Sequence, residues 1–160
     1  MDMDTILVTL FYMIPEGVML AIVSLGLLGI KSPLSRLFAI GILLGITTAV
    51  VRGMGVPFGI HTVLLGFVFV ILANGLAGAK PLTACAGYMM SMTILMLGEQ
   101  LVAIPIQSAF DMDLAITLLT AWQHIQWGWI SSSLLLVLTV LVLCTDFVLV
   151  AAPAERSAKQ

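Results

Sequence analysis

Apolar residues come in long runs separated by short polar punctuation, and neither the period of two of a half-buried strand nor the amphipathic stripe of a soluble helix organises them. A first run covers about 5–30 and stops at Lys31-Ser32-Pro33. A second covers about 34–51, and the glycine- and proline-rich stretch Arg52-Gly-Met-Gly-Val-Pro-Phe-Gly59 after it forms a loop. A third, about 60–77, ends at Gly78-Ala-Lys80-Pro81; a fourth covers about 82–106. From 111 to 129 the run is interrupted by Gln123, His124 and Gln126, which predicts a short amphipathic or re-entrant segment at a membrane interface. A last run covers about 130–152 and gives way to a polar tail, 153–160. About 20 apolar residues cross a bilayer as a helix. The pattern therefore predicts an all-α polytopic bundle of about five transmembrane helices plus one interfacial or re-entrant segment, forming one domain over 1–152.

Composition sharpens this. Of 160 residues, 61% are hydrophobic and 9% charged, against roughly half and a quarter in soluble domains. The mean hydropathy is +1.21. The acidic start Met1-Asp-Met-Asp4 and the long first run differ from the basic, short-cored pattern of a signal peptide, so the first helix is expected to be retained.

Six basic and eight acidic residues give a net charge of −2, with no basic face for nucleic acid. Cytoplasmic loops retain Lys and Arg. With the N-terminus outside and five spans, Lys31, Arg36, Lys80, Arg156 and Lys159 fall inside and only Arg52 outside. This predicts a multi-pass membrane protein with its N-terminus outside and a cytoplasmic tail. Trp122, Trp127 and Trp129 then suit the outer aromatic belt, whereas a crossing by 111–129 would invert the last helix.

Several local signals bear on packing. Pro15 inside the first run removes a helical hydrogen bond, so a neighbouring helix or water must satisfy the carbonyl it frees. Gly41-Ile-Leu-Leu-Gly45 lets two helix backbones approach closely, either in a homodimer or within one chain. Cys85 and Cys144 lack metal-ligand or redox spacing and read as small buried hydrophobes.

Ionisable residues inside a bilayer are costly and face the bundle interior or water. Glu16, Arg52, His61 and Glu99, with the adjacent Gln100, are therefore the candidates for a polar pocket in the outer half, with Arg52 paired to Glu99 and His61 at the rim. A guanidinium there could receive an anionic group. The plainer alternative is that Arg52 snorkels to headgroups, His61 caps a helix start and the glutamates merely hydrogen-bond to neighbouring helices. His61 and His124 lack HExxH or carboxylate spacing for zinc, and there is no phosphate loop or GxSxG elbow. No metal, cofactor or enzymatic activity is expected. Asp146 reads as an interfacial carboxylate.

Three stretches, Tyr12-Met-Ile-Pro-Glu-Gly17, Val51-Arg-Gly-Met-Gly-Val-Pro-Phe-Gly-Ile-His-Thr62 and Gly98-Glu99, together resemble the membrane-spanning N-terminal sensor module of bacterial histidine kinases with a GHKL-type ATPase domain, a group that includes peptide quorum-sensing receptors. The resemblance covers roughly 5–106. In such kinases the last span leads into a dimerisation helix bearing the phosphorylated histidine and then an ATP-binding domain, whereas this sequence stops eight residues after Ala152. The resemblance implies a sensor-like module without kinase domain, which recognises a signal at the outer leaflet or pairs with a separate membrane kinase. Of its matching positions, Glu16, Arg52 and His61 are carried over as ligand candidates. Two other readings remain open: a substrate-binding subunit of a small transporter, and a structural subunit of a membrane complex. No internal repeat supports an inverted-repeat transporter.

Overall fold

The structure, a computed structural model, describes residues 3–55, 57–109, 120–145 and 147–149. Six helices make up these residues. α1 is Met3–Gly26 with a π-turn at Thr9–Met13; α2 is Leu34–Gly53; α3 is Phe58–Ala77. α4 covers 81–109 with a π-turn at Glu99–Ala103, α5 is Ala121–Ser131 and α6 is Ser133–Thr145. The first four are long and apolar enough to cross a membrane, and α5 and α6, which meet at 56°, qualify together as a fifth, bent crossing. At 1.5 Å per residue, the 20 residues of α2 match the hydrocarbon thickness of about 30 Å.

α1 is the central helix. It packs against α2, α4, α5 and α6, and Ala21, Val23 and Leu25 have no exposed surface. Its seam with α2 is backbone on backbone. A Cβ on Gly41 would collide with Val18 Cα, one on Gly17 with the Gly41 carbonyl, and one on Gly45 would lie 2.7 Å from Ile14 Cα. The Gly41/Gly45 spacing is thus consumed within the chain rather than left for a homodimer. The α1–α4 contact is built alike: Gly87 abuts the Ser24 carbonyl, and Ser24 Oγ donates to Ser91 Oγ at 2.9 Å with both residues fully buried. Phe69 of α3 stacks on Tyr88 of α4, ring centres 5.4 Å apart. Large apolar side chains such as Phe67, Ile71 and Val137 face outward, as lipid contact requires. Cys85 and Cys144 are also exposed, not buried as their apolar setting suggested. In a bundle whose exterior is as apolar as its core, an apolar run does not distinguish the two.

Both prolines inside helices follow a π-turn. Ile14 N–H bonds back to Thr9 O, and Ile104 N–H to Glu99 O, five residues behind in each case, with Pro15 and Pro105 next. The wider turn makes room for a ring that would clash with the carbonyl four residues earlier. For Pro15 that carbonyl is Phe11 O, which accepts the indole N–H of Trp129 on α5 at 3.1 Å. A neighbouring helix thus supplies the donor that the proline removed.

The segment 111–129, expected to be short and interfacial or re-entrant, is described only in its second half. Residues 111–119 lie outside the described residues, but 121–131 is helical and packs on the first turns of α1 and on the π-turn of α4. It therefore begins at the end of the bundle where α4 finishes and meets α6 at 56°, the pair forming either one broken span or a re-entrant loop. Ser132 breaks the helix, and α6 runs to the opposite end, where Val142 meets Gly26 and Leu149 N–H donates to Leu27 O at 2.8 Å. The final helix ends at Thr145, short of 152. Asp146 and the tail 153–160 lie outside the described residues.

Candidate ligand cavity

The alternating helices place Lys31, Arg36 and Lys80 at one end of the bundle, and the α1 N-terminus with the α2–α3 loop at the other. A cavity of about 240 Å³ opens in the half nearer the α1 N-terminus, between α1, α2, α3, α4 and α5. Glu16, Arg52, His61 and Glu99 all line it. They come from four different helices, so the folded chain brings together side chains far apart in sequence. Gln100 does not line it and sits on the exposed surface.

The burial of these residues is graded. Glu16 is 6% exposed and His61 likewise, whereas Arg52 and Glu99 are exposed at the mouth. Arg52 and Glu99 do not pair: among the described residues no ion pair joins them. They stand on opposite walls, at the C-terminal turn of α2 and the π-turn of α4. Arg52 instead acts electrostatically on Glu16, His61 and His124.

Glu16 is held from two sides. Tyr12 Oη donates to its Oε1 at 2.8 Å from one turn earlier on α1, and Ser132 Oγ donates to the same oxygen at 3.2 Å from the α5–α6 break. Among the described residues no protein donor reaches Oε2. The carboxyl is thus oriented by one oxygen while the other is left for the cavity. The α4 π-turn begins at Glu99.

Sequence reasoning missed Tyr12, His124, Trp127 and Ser132. Tyr12 lies four residues before Glu16, a spacing that places both on one helix face. Trp127 reads as part of an aromatic belt and His124 as an interruption of an apolar run, yet both line the cavity, and His124 lies 6.1 Å from Tyr12, ring centre to ring centre.

Residue order along the helices sets the depth. Leu20, Leu65 and Tyr88 line the inner end of the cavity, and Tyr88 Oη donates to the Thr62 carbonyl at 3.2 Å. Beyond Leu20, the Ser24–Ser91 bond and the Gly87 contact bring α1 and α4 together. The cavity is blind toward the lysine end. Among the described residues no three His, Cys, Asp or Glu side chains converge to hold a metal ion. Ser131, which also lines the cavity, bonds its hydroxyl to the Gly128 carbonyl at 2.9 Å. No protein-family model, curated protein or solved structure matches the chain.

Proposed function

We propose that this chain is a non-enzymatic sensor or regulatory module of a bacterial cytoplasmic membrane, which binds a small molecule in the cavity from the outer face and pairs with a separate membrane partner. The observation that carries the reading is the convergence of Glu16, Arg52, His61 and Glu99 on one polar cavity closed toward the lysine end. Ionisable side chains gathered at membrane depth mark ligand or ion sites, and a volume of about 240 Å³ suits a small molecule rather than a folded partner. The orientation rests on Lys31, Arg36 and Lys80, which share an end that the positive-inside bias makes cytoplasmic.

A transporter component is the second reading. It is favoured by the interruption of three helices beside the cavity, at the two π-turns and at Ser132, since broken helices line the sites of many transporters. The closed inner half favours the sensor.

The test is a ligand screen on the full chain in lipid nanodiscs, covering amino acids, amines, carboxylates, sugars and short peptides, read as a shift in unfolding temperature. Compounds that stabilise wild type but not Glu16→Gln or Arg52→Ala support the site; an absence of any hit sinks it. Ligand accumulation inside proteoliposomes decides for the transporter. Labelling of a single cysteine at Gly55 from outside intact cells, and not of one at Ser32, is the expected topology, in a background lacking Cys85 and Cys144.

A further inference from the structure

On the receptor reading above, we propose that the ligand is a small zwitterion, bound with its ammonium group against Glu16 and its anionic group against Arg52. Both protein donors to Glu16 land on Oε1, so the carboxyl is already oriented and offers Oε2 to a cationic group. Arg52 stands at the mouth with no ion pair among the described residues, and its planar fork of donors suits a carboxylate or phosphate.

The register of the α1–α2 seam sets the spacing. Gly41 faces Val18 and Gly45 faces Ile14, which puts Glu16 level with residue 43. Arg52 lies nine residues further along α2, about 13 Å at 1.5 Å per residue. The two side chains line the same cavity and close part of that gap. The rest of the lining mixes apolar Leu44, Leu95 and Met96 with Thr48 and the aromatic residues Tyr12 and Trp127, the kind of ring a cation is attracted to. A ligand carrying one charge alone fits poorly. A lone cation must pass Arg52, and a lone anion meets both Glu16 and Glu99. The matching chemistry is a primary ammonium a few bonds from an oxyanion, which free amino acids and the headgroup of phosphatidylethanolamine share.

The experiment uses the full chain in nanodiscs of dioleoylphosphatidylglycerol. The probes are two isomeric zwitterions, L-leucine and 6-aminohexanoate, and the singly charged hexylamine and hexanoate, each titrated by calorimetry. At least one zwitterion should bind tenfold or more tightly than either singly charged probe. Glu16→Gln, which keeps an acceptor for Tyr12 and Ser132, should weaken it about ten- to a hundredfold and erase its advantage over hexanoate. Arg52→Ala should erase its advantage over hexylamine. A parallel arm adds dioleoylphosphatidylethanolamine to the discs and reads retained lipid by native mass spectrometry. Retention by wild type but not by either variant identifies the headgroup as the source of the same chemistry. Equal binding of hexylamine or hexanoate overturns the zwitterion and leaves the receptor reading standing. So does failure of both isomers and the lipid while the wider screen gives another ligand. Only a screen with no hit removes the receptor reading.

Discussion

Gly45→Ala and Gly75→Ala make the same chemical change on neighbouring helices and should move stability in opposite directions. A Cβ on Gly45 would lie 2.7 Å from Ile14 Cα, 2.7 Å from Met13 O and 2.9 Å from Ile14 N. All three are backbone atoms of α1, so no side chain can swing aside. Ordinary contact begins at 3.4 Å, and the seam must therefore open by about 0.7 Å. A gap of 0.5–1 Å forfeits roughly a quarter to a half of each dispersion contact it widens. Overpacking of this kind costs about 1–3 kcal/mol. At Gly75, in the last turn of α3, nothing lies within 4 Å of the added methyl, and alanine there should gain part of the roughly 0.5–1 kcal/mol by which it outdoes glycine inside a helix. Reversible unfolding in mixed micelles, titrated with SDS, measures both. The reasoning fails if Gly45→Ala is as stable as Gly75→Ala. A change in oligomeric mass without loss of stability would instead assign the Gly41/Gly45 face to a dimer.

Other outcomes follow from single bonds. Trp129→Phe strands the Phe11 carbonyl and should cost about 1 kcal/mol; in a Pro15→Ala background, where the helix regains its own donor, the cost should shrink, and additive effects in the double-mutant cycle would refute the pairing. Ser24→Ala or Ser91→Ala alone should each destabilise by about 0.5–1.5 kcal/mol, while the double variant costs less than their sum because no buried hydroxyl is stranded; equilibrium unfolding decides. Glu16→Ala leaves the Tyr12 and Ser132 hydroxyls without their acceptor and should be about 1–3 kcal/mol less stable than Glu16→Gln; equal midpoints would show that neither bond holds the site together.

Much of the bundle is readable from the sequence because lipid imposes a simple rule: a run of about 20 apolar residues is a crossing. The candidate residues Glu16, Arg52, His61 and Glu99 stand out for the same reason, since charge at that depth is rare. What escapes is whatever depends on partners across helices. Tyr12 and Ser132 are ordinary in a membrane helix until a carboxyl lies beside them. Gln123, His124 and Gln126 lower the hydropathy of α5 and suggest an interface, and only the fold shows that His124 lines the cavity while Gln126 is exposed. Pro15 predicts a freed carbonyl, but only the fold reveals that Trp129 reaches it. Gly41 and Gly45 announce a close approach without naming the partner, because self-association and intrachain packing ask the same thing of a sequence.

The cavity and the irregular helices have one physical origin. Where α1 meets α2 and α4 through Gly17, Gly41, Gly87 and the Ser24–Ser91 pair, small side chains let backbones touch and no space remains. Nearer the α1 N-terminus the same helices carry Tyr12, Glu16, Arg52 and Glu99, whose bulk and charge hold the walls apart. Regular helices would leave this half with stranded polar groups, which lipid cannot satisfy. The interruptions resolve that: Trp129 takes the carbonyl freed by Pro15, the break at Ser132 turns a hydroxyl onto Glu16, and the π-turn of α4 starts at Glu99. Ser132 therefore serves two purposes at one position: it is where α5 and α6 meet at 56°, and its hydroxyl helps to hold the Glu16 carboxyl through Oε1.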